Sequence, residues 1–212
     1  MQTGTIAKYA GIALALAGLL VLSGCWVQSI HGLYEEGMSK PDPDVVVDQR
    51  LAGSWSVPEP EIGDKDNCKA VMTITSRDGV YDLKWPVQEG CSDAERNYEA
   101  RLVRLDTYYF LDVVAPPDAV CDTCIAMHQI FRVDFASDGF SLIPVDSEWL
   151  NKSLAAKSLT LATVPDDSDI VTASTADLKK FCRKFAGDPA AFRPDSALTF
   201  PRLRAGQAAS SE

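Results

Sequence analysis

The chain has 212 residues, 30 acidic against 20 basic, and a formal net charge of −10 at pH 7. Affinity for a phosphate backbone comes from clustered Lys and Arg, so this balance excludes nucleic acid as the partner. The length and a hydrophobic share of 46% suit one buried core rather than several.

Lys8 is the one charged side chain before an uncharged apolar run, Tyr9 to Leu22, of 14 residues. A membrane-spanning helix needs about 20 such residues, whereas an export signal needs fewer and ends in small ones. Leu22-Ser23-Gly24-Cys25 closes the run and resembles the lipobox of bacterial lipoproteins. The resemblance implies cleavage before Cys25, diacylglycerol on its thiol and an acyl chain, palmitate in type, on the new amine. Residues 1–24 are then a signal peptide and Cys25 is the lipid attachment site. Two or three chains, at about 0.8 kcal/mol per buried methylene, anchor durably where one does not. Trp26 stands where an inner-membrane lipoprotein would carry Asp. The expected location is therefore the periplasmic face of the outer membrane in a two-membrane bacterium. Loss of Lys8 with the signal leaves 19 basic against 30 acidic residues and a mature net charge of −11.

Residues 25–47 contain Glu35, Glu36, Asp42 and Asp44 with two prolines. They read as a lipidated N-terminus followed by an extended acidic tether. At about 3.1 Å per residue, such a tether would hold a domain on the order of 50 Å off the bilayer. Asp42-Pro43-Asp44 reads as solvated linker rather than a cation site, and His31 has no second ligand at useful spacing.

A single globular domain is expected over 48–204, with 205–212 a disordered tail. "KAVMTIT" and "VYDLKWPV" flank Ser76-Arg77-Asp78-Gly79, a hairpin signal. Tyr81, Leu83, Trp85 and Val87 alternate with Asp82 and Lys84, as in a half-buried strand. A second hairpin is expected around Asp106-Thr107 and a third around Ser137-Asp138-Gly139. Helices follow near 147–158, with Asp146 or Ser147 as cap, and near 175–186. In the latter Thr175 is the expected cap, Leu178, Phe181, Cys182 and Phe185 make the apolar stripe, and Gly187 closes the end. "SLTLATV" and "DIVTAS" read as strand, and "ALTFPRL" as an edge strand, because Pro201 lacks a ladder donor. The fold class is α+β: an antiparallel β-meander sheet or partial barrel of about 6–8 strands, with two helices in the C-terminal half.

Five cysteines remain beside Cys25. In an oxidising compartment disulfides form. Cys68 and Cys91 flank the same open end of the first hairpin, and a bridge there would contribute on the order of 3 kcal/mol. Cys182 completes a helical apolar stripe. Cys121 and Cys124, four residues before His128, admit three readings. A small structural disulfide is the first. A redox pair would need a helix N-terminus, where this sequence has a Pro-Pro loop. A metal site at Cys121, Cys124 and His128 would need a fourth ligand. Haem attachment is excluded, because Ile125 occupies the histidine position. On strand alternation His128 falls with Arg132 and Asp134, opposite Met127, Phe131 and Val133, which reads as a solvated face.

The chain carries no nucleophile-elbow, zinc-protease, P-loop or dinucleotide motif, so neither an enzyme nor a cofactor is expected. The segments "SIHGLYEE", "QRLAGSW", "YEARLVRLDTYYFLDVV", "HQIFRVDF", "SEWL" and "TASTADLKKF" resemble, in this order, a group of uncharacterised bacterial lipoproteins. That group implies no activity. Gly53-Ser54-Trp55 is similar to the Gly-x-Trp of lipocalins, in which the Trp closes the barrel floor. The first expectation is a membrane-anchored envelope interaction or structural domain with a protein partner. The second is a lipocalin-like small-ligand domain with Trp55, Tyr81, Trp85 and Tyr109 around a cavity. The third is a metal or redox site at Cys121, Cys124 and His128.

Overall fold

The computed structural model describes residues 26–35, 41–57, 71–86, 95–116, 125–165 and 167–203. Cys25, Cys68, Cys91, Cys121 and Cys124 lie outside the described residues.

The three hairpins form as the alternation predicts. Strands β1 (Gln28–Ser29), β2 (Val45–Val46) and β3 (Gly53–Ser56) precede β4 (Val71–Arg77) and β5 (Val80–Pro86). The β4–β5 turn is Asp78-Gly79, both at positive φ, the combination a two-residue turn with right-handed strand twist requires. Strands β6 (Glu95–Leu105) and β7 (Tyr108–Val114) turn at Asp106, also at positive φ, and β8 (His128–Phe135) pairs with β9 (Gly139–Pro144). Then come helix α1 (Ser147–Ala155), β10 (Thr163–Val164), β11 (Asp167–Val171), helix α2 (Thr175–Phe185) and β12 (Leu198–Pro201).

All twelve strands among the described residues join one sheet, more than the expected 6–8. Its order is β10-β11-β1-β8-β7-β6-β5-β4-β3, with β9 joining β8 to β12 and β2 pairing with β6. The pairing is antiparallel except where β1 runs parallel to β11. The sheet is open, because no ladder joins β3 to β12. The two touch at a single bridge, Trp55 with Arg202, beside a bond from the Leu203 N–H to the Ser54 carbonyl at 3.0 Å.

Alternation sends side chains from one sheet to two cores. One holds Trp55, Met72, Ile74, Tyr81, Leu83, Leu111, Phe131, Phe140 and Phe200. The other packs Val103, Phe110, Ile143 and Val145 beneath Leu150 of α1 and Leu178, Phe181 and Cys182 of α2. Asp146 caps α1, accepting from the Trp149 N–H at 2.7 Å. The cap of α2 is Ser174 rather than Thr175, since the Ser174 hydroxyl accepts from the Asp177 N–H at 3.2 Å. Gly187 is not a left-handed terminator either. Helix α2 ends in helical geometry at Ala186, and a Cβ on Gly187 would stand 2.7 Å from the Tyr108 hydroxyl.

The expected tether is the largest departure. Trp26 packs edge-on against Phe131, with ring centres 5.2 Å apart. Strand β1 sits between β8 and β11, and Gly32, Leu33 and Tyr34 are buried. Asp42 is buried too, bound to the Lys179 ammonium at 2.8 Å, and Asp44 holds the same ammonium at 2.7 Å. The acidic pair that read as solvated linker is matched by cations of α2, Arg183 included.

Candidate functional site

The most unusual polar grouping lies where this N-terminal segment crosses β7 and β8. On β7, Phe110, Asp112 and Val114 alternate away from Leu111 and Val113. On β8, His128 and Arg132 share that side. Helices and the N-terminal segment cover its His128 and Arg132 end, so of the solvated face expected around His128 only Asp134 is exposed. His128 and Arg132 are each 8% exposed and Asp112 is fully buried. Alternation tells which residues share a face and nothing about whether the face is covered.

Asp112 accepts two hydrogen bonds. One comes from the Leu33 backbone N–H at 2.5 Å, the other from His128 Nδ1 at 2.7 Å. A carboxylate only accepts, so the imidazole hydrogen is assigned to Nδ1. Tyr34 stands edge-on to the imidazole, with centres 5.9 Å apart, and the Arg101 guanidinium lies 4.0 Å over the Tyr34 ring. Gly32 makes the crossing close. A Cβ there would meet Asp112 Oδ2 and His128 Cε1 at 2.8 Å. A buried carboxylate orienting an imidazole is half of a nucleophilic site, but among the described residues no nucleophile is hydrogen-bonded to His128. What the geometry does is bind the N-terminal segment to the sheet.

Arg132 turns to the other helix. Its guanidinium donates to the Ala186 carbonyl at 2.7 Å and to Asp134 at 2.8 Å, tying the end of α2 to β8. Beside this lies an apolar cavity lined by Val27, Ile130, Leu150, Leu178, Phe181 and Cys182. Its volume is about 20 Å³, room for about one water and far below the several hundred Å³ of a ligand site. Burial, with the Asp112 charge, pushes the Cys182 thiol far up, so it stays protonated and behaves as a small hydrophobe.

The four rings proposed around a ligand cavity do share a cluster, and three of them pack edge-on against neighbouring rings. Trp55 packs edge-on to Phe140 at 4.8 Å, Trp85 to Phe200 at 5.8 Å and Tyr109 to Phe135 at 5.4 Å. Trp55 and Tyr81 are fully buried, and their polar tips reach the turn before β3. The Trp55 indole donates to the Leu51 carbonyl at 3.0 Å. The Tyr81 hydroxyl accepts from the Asp48 N–H at 2.7 Å and donates to the Asp48 carbonyl at 3.1 Å. Burial raises the Tyr81 phenol, which stays a donor at neutral pH.

Among the described residues, no three or more His, Cys, Asp or Glu are placed to hold a metal, and no helix is long and apolar enough to cross a membrane. Sequence reasoning missed Asp112. Its signal was an acidic residue inside the apolar run "YYFLDVV", where a solvated charge has no place. Compared with known protein families, curated proteins and solved structures, the chain matches none. The two resemblances therefore rest on the residues that carry them.

Proposed function

We propose that this is an exported, lipid-anchored envelope protein, held by Cys25 and working through its surface as a non-enzymatic interaction or structural domain. The observation that carries the reading is the order Lys8, apolar Tyr9–Leu22, Leu22-Ser23-Gly24-Cys25, with a packed residue, Trp26, directly behind it. A signal ends and a folded domain begins at one cysteine. The mature net charge of −11 favours a protein or neutral partner over an anionic one. Carrier duty is the weaker use of this fold, since the rings of Trp55, Tyr81, Trp85 and Tyr109 pack against core neighbours.

The domain itself we read as a partial barrel. Its wall is β3-β4-β5-β6-β7-β8-β9-β12, and its seam is the Trp55–Arg202 bridge. What supports this is the single shared core reached from all eight strands.

The test is fractionation of cells expressing the full chain beside Cys25→Ser. The parent is expected in the membrane fraction, with an N-terminal peptide that begins at Cys25 and carries the mass of diacylglycerol and an acyl chain. The variant is expected to lose both. A parent that is soluble, or uncut, or that carries no lipid at Cys25 refutes the anchor. Cross-linking on intact cells then reads the partner.

A further inference from the structure

The lipid anchor and the fold meet at adjacent residues, and that constrains where the domain can sit. Resting on the Cys25 anchor proposed above, we infer that the folded domain is held flush against the bilayer, with Trp26 at headgroup level and no standoff.

The inference follows from the lack of slack. Consecutive α-carbons are about 3.8 Å apart, so the lipidated residue lies within that distance of Trp26. Trp26 is itself fixed edge-on to Phe131. Two residues later β1 begins, laddered to β8 on one side and β11 on the other. Four residues beyond, the Leu33 N–H is bound to the buried Asp112 carboxylate, which also holds His128. The chain cannot pay out length without breaking these contacts in series. A Pro-rich tether of some twenty residues would instead have given a gap on the order of 50 Å.

Electrostatics pull the other way and do not win. An acidic domain is repelled by an anionic leaflet within a Debye length of about 8 Å. A flexible tether would let it retreat, whereas here retreat requires β1 to leave the sheet. The gap should accordingly be the same on neutral and anionic lipid. The surface that meets the bilayer is the one around Trp26, and a partner must approach the domain within reach of the membrane.

Neutron reflectometry on supported phosphatidylcholine bilayers carrying the full lipidated chain tests this. The protein is purified from membranes, and mass spectrometry of its N-terminal peptide comes first. An unlipidated Cys25 peptide overturns the anchor and this inference together. With the lipid confirmed, protein density is expected to begin within about 10 Å of the headgroups, the reach of some three extended residues. A second chain carries a Gly-Ser linker of about 20 residues between Cys25 and Trp26, with an end-to-end distance of about 25 Å. It should show a water layer that the parent lacks. A lipidated parent with a water layer like that of the linker chain overturns flush docking alone, and leaves the anchor standing.

Discussion

Asp112 is the residue on which the N-terminal segment depends. Its two oxygens serve two buried donors, the Leu33 N–H and His128 Nδ1. Replacing it with Ala leaves both unmade, each costing roughly 1–3 kcal/mol. Asp112→Ala is therefore expected to lower the unfolding free energy by about 3 kcal/mol, read from urea midpoints at unchanged slope. Asp112→Asn keeps one acceptor oxygen and turns an amide N–H₂ toward a donor, so it should fall between. Asp42 is the second such residue. Burial alone would raise its carboxyl, but the Lys179 ammonium and the Asp44 N–H outweigh burial and hold it below the usual carboxylate range. A depressed carboxyl contributes stability that is present above its unfolded value and lost as pH falls through the folded one. Lys179→Met should thus cost about 2 kcal/mol at pH 7. That difference should shrink as Asp42 protonates below about pH 4. A cost that stays constant down to acid pH would show that the methylene packing of Lys179 matters, and not its charge.

Strand β1 is two residues long, yet β11 reaches the rest of the sheet through it, since β11 pairs otherwise with β10. Ser29→Pro would remove a ladder donor where both edges are paired and leave its buried acceptor unmade, costing roughly 1–3 kcal/mol. Amide exchange should accelerate in Asp167–Val171 and Thr163–Val164 well before it does in the β4–β5 hairpin. Uniform acceleration across all strands would mean that β1 belongs to the global unfolding unit and does not gate a local one. The same strand shows where sequence reading stops. The hairpins were legible because seven-residue strands display a period. Tyr81 and Leu83 point one way, Asp82 and Lys84 the other, and Asp78-Gly79 marks the turn. Two residues have no period, so β1 and β2 left no trace, and β10 was legible only as the end of the longer run "SLTLATV". The tether was misread for a related reason. Asp42 and Asp44 look solvated until the cation that neutralises them arrives from 137 positions away. His128 was placed on the right face, and only the third layer, supplied by residues 30–34 and the helices, buries it and Arg132 there while Asp134 stays exposed. The Asp112 clasp was legible in part, as an isolated acid in an apolar strand, but its partners lie on two other segments.

For the molecule as a whole, the open question of mechanics is what keeps β3 and β12 together without a ladder. Arg202 sits at that seam. Its guanidinium lies 4.3 Å over the Trp55 ring and donates to the Ala52 carbonyl at 3.1 Å and the Arg50 carbonyl at 2.9 Å. It thereby stitches the turn before β3 to the end of β12. The side chain is exposed, so each contact is screened. A cation–π pair at such a site is worth about 0.5–1 kcal/mol, and a net hydrogen bond about 1 kcal/mol. Arg202→Ala is expected to cost about 2 kcal/mol. Its more telling effect is local, because without the stitch one bridge and one backbone bond hold the seam. Exchange of the β3 amides should rise by more than that of β6, which is paired along its length, and an environment-sensitive dye should gain access to the cluster around Phe140 and Phe200. Arg202→Lys supplies the charge without the planar fork that spans two carbonyls, so it should recover little of the loss. If Lys restores full protection at β3, charge alone closes the seam. If Ala leaves β3 protected as in the parent, the two edges are held by the shared core beneath them, and the sheet behaves as a closed wall despite its missing ladder.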